Sequence, residues 1–491
     1  MDKLVSCNAT TRDIDAGINI NNSNAEAFVL TTPLYYVNAP PHMGSAYTTI
    51  AADAIARFQR LLGKKVIFIT GTDEHGEKIA SAAAANDSSP SKHCDSVSQA
   101  YKPLWRDLDI AYDKFIRTTD SKHETLVKEF YSKVLANGDI YRADYEGLYC
   151  VNSALSKYQK RLEDTLTENL DFVQPSFRLN EVQGWVKSGL RDFSISRASL
   201  DWGIAVPNDD KQTIYVCYIS ALLADKEQPN LQTAISSGWP ASLHLIGTDI
   251  LRFHAVYWPA MLMSAGLSLP KMVFGHGFLT KDGLKMGKSL GNTLEPTVLV
   301  HRFGSDAVRY FFLKEVEFGS DGDYSEDHFI NIINAHLANT IGNLLNRTLG
   351  LLKKSCQSTL AIDSAIAAEG NALKNTVEKL VEKARQHYEN LELSSACEAV
   401  LETSNAGNVY IGGQARWSLF KQGGSAFETA AKSLQNDTKW GGLKCGQVMA
   451  QPNPVFGRIE PETEEKNAGD STKKASKKMN KTPKTQKAVE A

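Results

Sequence analysis

Two short basic elements lie far apart in the chain and share one chemical capacity. Lys285-Met286-Gly287-Lys288-Ser289 stands on a loop running from Lys281-Asp282-Gly283 to Gly291-Asn292, where loosened backbone lets two ammonium groups follow phosphate oxygens as charge moves onto them. Far upstream, Pro41-His42-Met43-Gly44 separates a strand-like run from an Ala-rich helical run, an arrangement that sets an imidazole and a helix N-terminus against the same kind of anion. Apart, each has an ordinary explanation, a solvated basic loop and a common His-x-Gly. Asp73, in Gly71-Thr72-Asp73-Glu74-His75-Gly76, reads either as an acid capping the next helix or as a carboxylate that holds a substrate ammonium. His254, in the run from Leu251 to Met261, suits a satisfied core histidine as well as a cleft residue. In this order on one fold, His42, Asp73 and the two lysines point to clamping a nucleoside triphosphate from opposite sides.

The elements that must position them follow from periodicity. Ala27 to Val37 is a buried parallel strand, Ser45 to Leu62 a helix with Ile50, Ala54 and Phe58 along one face, and Lys65 to Thr70 a second buried strand ending at the Gly71–Gly76 turn. Strand, helix, strand makes a βαβ unit whose ligand crevice lies where strand C-termini meet helix N-termini, and both His42 and Asp73 fall there. Strand-like pieces recur at Ser242–Gly247 and Lys271–Gly275, so the nucleotide fold is split by an insertion between about residues 116 and 240. From Asp323 the character turns helical. Ser325 can cap a helix whose first turn holds Glu326 and Asp327, and Phe329, Ile333, Leu337, Ile341, Leu345 and Leu352 form one apolar stripe. A second run through Leu373, Val377, Leu380, Ala384 and Tyr388 would pack against it as a bundle. Asn334, Asn339, Asn343, Asn346 and Arg347 interleave with the stripe, either as a solvated face or as RNA contacts.

Composition bounds the remaining choices. The chain has 491 residues, enough for two or three domains, and a formal net charge of −2, so nucleic-acid binding has to come from local patches. Its seven cysteines are scattered without a Cys-x-x-Cys pair, which argues against a disulfide framework and for a reducing compartment. Cys150 has no thiolate or imidazole near it in sequence to complete a tetrahedral set, so no structural zinc is expected. No stretch reaches transmembrane length, and residues 1–26 lack the apolar core of a secretory signal. They read as a disordered extension, and the Lys-rich stretch 461–491 as a disordered basic tether.

Thr31-Thr32-Pro33-Leu34-Tyr35-Tyr36-Val37-Asn38, Thr70 to Gly76, Phe253 to Leu262 and the Lys285 pentapeptide together resemble the methionyl-tRNA synthetases, class I aminoacyl-tRNA synthetases, of the bacterial type that plants also use in their organelles. The resemblance runs from about Phe28 to Glu460. It implies an α/β fold: a Rossmann-like parallel sheet split by a connective insertion (27–322), followed by an α-helical bundle that binds the anticodon (323–435), a C-terminal segment (436–460) and the tail. The implied reaction joins L-methionine to ATP as methionyl-adenylate and passes the acyl group to tRNA(Met), magnesium accompanying the ATP. The implied roles are catalysis for His42, Lys285 and Lys288, ATP contacts for these with Gly44, Ser45, Asp249 and Ser289, a methionine pocket from Leu34, Tyr36, Asp73, Tyr218 and His254, and anticodon contacts for Arg347 and Trp417. A chloroplast or mitochondrial location is implied as well, without a clear transit peptide; otherwise the location would be cytoplasmic.

The chain departs from the family pattern in several places. Ser45 stands where the first signature has His, Gly287 where the second has Ser, and Thr248 where a Lys lies beside the nucleotide. Segments are missing after Asn152, Cys217 and Leu434, removing metal cysteines, a pocket Trp and closing helices, as expected of a splice-altered or internally deleted form. Two alternatives stay open on these grounds: a catalytically impaired ATP- or tRNA-binding isoform, and a nucleotidylyltransferase.

Overall fold

The run 28–36 carries no charge and is rich in aromatic and branched residues, which suits a strand covered on both faces, and it lies at the middle of the fold. The structure, a computed structural model, describes residues 27–142, 151–153, 155–198, 202–214, 230–236, 238–286, 291–356, 371–414, 418, 421–422, 456 and 458–459. Six strands, β1 (Phe28–Tyr36), β2 (Val66–Asp73), β3 (Lys114–Arg117), β4 (Val173–Gln174), β5 (Leu243–Gly247) and β6 (Val273–His276), form a parallel sheet in the order β3-β2-β1-β5-β6-β4. The chain leaves β1 toward β2 on one side and returns as β5 on the other, so a switch point lies between β1 and β5, where such sheets bind ligands. Helix α1 (Met43–Leu61) connects β1 to β2, its N-terminus at the same edge as the β1 C-terminus.

The βαβ expectation holds, with two adjustments. Strand β2 runs on to Asp73 rather than stopping at Thr70, because Gly71, Thr72 and Asp73 keep pairing with Leu34, Tyr35 and Tyr36. The β1–β2 register shifts between Thr31 and Leu34, around Pro33, which has no N–H for the ladder. The insertion is also less detached than its length implies. Residues Val173–Gln174 rejoin the main sheet beside Val273–Phe274, and Leu162, Leu166, Val182 and Val186 pack on Ile246, Leu251 and Val256 beneath it. At the first expected junction, Asn152–Ser153, the chain runs through a strand, with Asn152 paired to Tyr141 on one side and Ser194 on the other. The junctions at Cys217 and Leu434 lie outside the described residues.

The helical part begins as the capping signal predicts, Ser325 Oγ accepting from His328 N–H at 3.4 Å. Phe329, Ile333, Leu337 and Leu352 are buried, but the middle of the stripe, Ile333–Gly342, is a π-helix, a wider turn than the predicted α-helix. The sheet-bearing part and the helices share one apolar core, from Leu30 and Phe68 through Phe311 and Phe329 to Leu393. The Asn334 amide is used within the fold instead: it accepts from Ile459 N–H and donates to Ile459 C=O, each at 2.8 Å. Residues 460–491 lie outside the described residues.

Candidate active site

A cavity of about 770 Å³ opens at the carboxyl ends of β1, β2, β5 and β6. Of the residues expected at a nucleotide and amino-acid site, Leu34, Tyr36, His42, Gly44, Ser45, Asp73, Asp249 and His254 all line it. His42 is the N-cap of α1. Its Nδ1 accepts the Gly44 N–H at 3.1 Å, its N–H donates to Ser45 Oγ at 3.3 Å, and Ser45 Oγ–H donates to His42 C=O at 2.7 Å. Ser45 therefore closes a capping box, and its hydroxyl proton is engaged within the backbone. Accepting at Nδ1 requires the neutral ring to carry its proton on Nε2. Gly44 is the residue this permits, since a Cβ there would lie 2.9 Å from His42 Cε1.

Behind the helix terminus sits a histidine that the sequence reading did not single out. His276 donates from Nδ1 to Gly277 C=O at 2.8 Å and accepts at Nε2 from Thr48 Oγ–H at 2.7 Å, and burial lowers its pKa. Such a neutral, fully used ring ties β6 to α1. Asp249 follows β5 on a short 3-10 turn, Thr248–Ile250, and approaches so closely that a Cβ on Gly247 would meet its Oδ1 at 2.6 Å. Thr248 itself is not among the cavity residues.

The other end of the cavity is apolar and aromatic. Asp73 lies across the ladder from Tyr36, and the helix Glu77–Ala85 that follows starts at Gly76 with no side-chain cap, so the capping role for Asp73 is not the one adopted. His254 donates from Nδ1 to Ile250 C=O at 3.0 Å, and His244 shares a proton with Thr31 Oγ at 2.7 Å through Nδ1. Their rings meet edge to face at 6.1 Å. Burial pulls His254 down to about 4 and His244 to about 3, so both are neutral at physiological pH. Both expectations for His254 hold at once, a satisfied ring that also lines the cleft. Trp202, Phe253 and Trp258 complete the wall. Trp202 comes from the insertion, its Nε1–H donating to Glu74 C=O at 2.5 Å and its ring lying 5.9 Å from that of His75.

Lys285 closes a hairpin of Leu279–Lys281 with Leu284–Lys285 whose turn, Asp282-Gly283, has positive φ at both residues. Its Nζ sits 4.9 Å from the centroid of the Phe278 ring, and Phe278 lines the cavity although Lys285 does not. Gly287, Lys288 and Ser289 lie outside the described residues, as do Tyr218, Trp417 and Cys150. Arg347 is not a cavity residue; its guanidinium is 3.5 Å from Asn408 Oδ1 in the helical part. Among the described residues no three metal-ligating side chains converge. The available signal for His276 was its place at a strand end before Gly277; for Trp202 there was none, because nothing local tells which insertion residue folds back on the cleft.

A family model described as tRNA synthetases class I (M) matches residues 28–155 and 153–349. The methionine-tRNA ligase, chloroplastic/mitochondrial, of Arabidopsis thaliana is 67% identical over 520 residues, covering 90% of this chain and 84% of that protein. That alignment is longer than the 491-residue chain, so the plant protein carries residues that this chain lacks. The methionine-tRNA ligase of Synechocystis sp. is 51% identical over 445 residues, covering 82% and 83%. Among solved structures, Mycobacterium tuberculosis methionyl-tRNA synthetase in complex with methionyl-adenylate superposes with a TM-score of 0.77 at 37% identity, over 84% of this chain and 89% of that one.

Proposed function

The chain belongs to the class I methionyl-tRNA synthetase family, and we propose how its own residues carry the family's reaction. The activity is that of a methionine-tRNA ligase, ATP-dependent activation of methionine followed by transfer to tRNA. The methionine carboxylate attacks the α-phosphorus of ATP, the bond from that phosphorus to the pyrophosphate oxygen breaks, and negative charge grows on the departing group. His42 Nε2–H and the α1 N-terminus meet that charge from one side. Lys285 and Lys288 meet it from the other. ATP is taken as its magnesium complex, the ion being part of the substrate.

Asp73 holds the methionine ammonium, while Leu34, Tyr36 and His254 surround the thioether with apolar and polarizable contacts. Gly44 and Ser45 keep the phosphate end in shape, and Asp249 faces the nucleotide. The observation that carries this assignment is that one cavity holds both His42, whose Nδ1 accepts the Gly44 N–H, and Asp73. Residues 27–322 serve as the catalytic domain and the helices that follow as the reader of tRNA(Met), with Arg347 and Trp417 as contacts. The nucleotidylyltransferase and impaired-isoform alternatives are not favoured, since the relatives named above are methionine-tRNA ligases. Likeness to a plant organellar protein supports an organellar location, which cell fractionation with an antibody would check.

Methionine-dependent pyrophosphate exchange tests the lysine assignment. Lys288→Ala is expected to lower the adenylation rate about 10²–10³-fold with little change in methionine binding, because its partner charge appears late. An unchanged rate removes Lys288 from the mechanism.

A further inference from the structure

Asp73 and His75 both line the cavity, and the residue between them does not. Glu74 is fully buried, and its carboxylate is saturated with donors. Oε1 accepts from Arg117 Nε at 2.7 Å and from Thr72 Oγ at 2.7 Å; Oε2 accepts from Arg117 Nη2 at 3.0 Å and from Thr119 Oγ at 2.5 Å. Burial alone would raise the Glu74 pKa, yet the hydrogen bonds from Arg117, Thr119 and Thr72 hold it below the ordinary value. Arg117 stands opposite Thr72 on β3 and reaches Asp95 with a second contact at 2.6 Å. The Glu74 main chain is fixed too, its N–H donating to Thr118 Oγ at 2.9 Å and its C=O accepting from the Trp202 indole.

A charge this deeply buried tolerates little movement, because shifting it breaks bonds that nothing else can replace. Backbone locked at residue 74 therefore locks the directions of its two neighbours. We propose that Glu74 and Arg117 are positioning residues for methionine: their bidentate pair clamps the end of β2 to β3, aims Asp73 at the substrate ammonium, and seats Trp202 as cavity wall, without either residue touching substrate. The proposal rests on Asp73 as the ammonium partner. It predicts a selective effect, since the phosphate-binding side of the cavity is built on α1 and β6, which the clamp does not touch.

Equilibrium dialysis with labelled methionine and, separately, with labelled ATP gives the test on the full chain, each variant assayed well below its own melting midpoint. Glu74→Gln and the milder Arg117→Lys, which keeps the charge but loses the fork, are each expected to weaken methionine binding about 10-fold or more while ATP binding stays within about twofold. Arg117 is 26% exposed at its side chain, so its lysine variant supplies the answer if Glu74→Gln does not fold. Asp73→Asn is the control for the underlying reading. If Asp73→Asn leaves methionine binding unchanged, or the unaltered chain binds no methionine, that reading fails and the clamp with it. If Asp73→Asn weakens methionine binding but Arg117→Lys does not, or if Arg117→Lys weakens methionine and ATP equally, the clamp is only a structural ion pair and the proposal is overturned.

Discussion

His42 divides its ring between two tasks, and the division can be tested atom by atom. Nδ1 accepts the Gly44 N–H, which satisfies one of the unpaired amides at the start of α1, and this fixes the proton on Nε2, the atom proposed to meet phosphate. An asparagine keeps an acceptor near Nδ1 but has nothing where Nε2 lies; a glutamine places its amide near Nε2 but gives up the cap. His42→Asn is therefore expected to retain the melting temperature and to lower the pyrophosphate-exchange rate about 10²-fold or more. His42→Gln is expected to retain more of the rate and to lose about 1 kcal/mol of stability. The reverse pattern, a fast Asn variant and a slow Gln variant, would show that the cap matters and the Nε2 donor does not.

At the scale of elements, α1 carries His42 at one end and is anchored to the rest of the molecule along its length. Buried Asp53 accepts from Arg57 at 2.7 Å, from Arg309 at 2.5 Å and from Ala111 N–H at 2.8 Å, tying α1 to helix α2 (Ser305–Glu315). Phe58 stacks on Tyr388 of the helix Asn371–Glu389 at 4.7 Å between centroids, so the helical part rests directly on the helix that His42 caps. The helices proposed to read tRNA are therefore joined in packing to the part that carries the cavity. Arg347, on the helix Asn343–Cys356, sits outside the cavity beside Asn408. Arg347→Ala is expected to weaken tRNA(Met) binding by roughly 1–3 kcal/mol while methionine-dependent pyrophosphate exchange stays as it was. Filter binding with tRNA(Met) and an anticodon-altered copy decides it. Equal loss for both tRNAs would make Arg347 a backbone contact instead of a reader of the anticodon.

For the molecule as a whole, burial of neutral imidazoles sets how stability depends on acid. Burial lowers His75, His123 and His254 to about 4 and His244 to about 3, from 6.5 in the unfolded chain; neighbouring histidine charge adds to this at His123 and His244. As pH falls the unfolded chain takes up protons first. The stability these groups contribute is therefore complete above pH 6.5 and is lost as pH drops through the folded values near 4 and 3. Asp139 adds a lower window. Burial would raise its pKa, but Lys157, Ser264, Tyr158 and Asn137 donate to it and bring it from 3.8 to about 2, so its contribution disappears only between about pH 4 and 2. Thermal melts at half-unit steps of pH are expected to be level near neutrality and to fall steadily from pH 6.5. Asp139→Asn should lower the whole curve and flatten its last segment. A midpoint that rises on acidification between pH 6.5 and 4 would contradict neutral burial of the histidines.

Much of the site was legible in the chain because it is made by local structure. A charge-free run, a turn with His42, an amphipathic helix and a second run ending at Asp73 suffice to place the imidazole and the carboxylate at one edge of a parallel sheet, since helix and strand periods act over neighbours in sequence. Ser325 and the stripe from Phe329 to Leu352 were legible for the same reason, although a π-turn at Ile333–Gly342 was not, being a small change of pitch that leaves the pattern intact. What tertiary structure alone decided depends on pairs distant in sequence. Thr31 meets His244, Thr48 meets His276, Glu74 meets Arg117 and Trp202, and Asn334 meets Ile459. Val173–Gln174 is two residues long, too short to show any period, and becomes a sheet edge only because Val273–Phe274 offers it a ladder. Period identifies an element and the face it buries; which buried polar groups then find one another is settled by the packing of whole elements, where each unpaired group would cost more than its partner's placement.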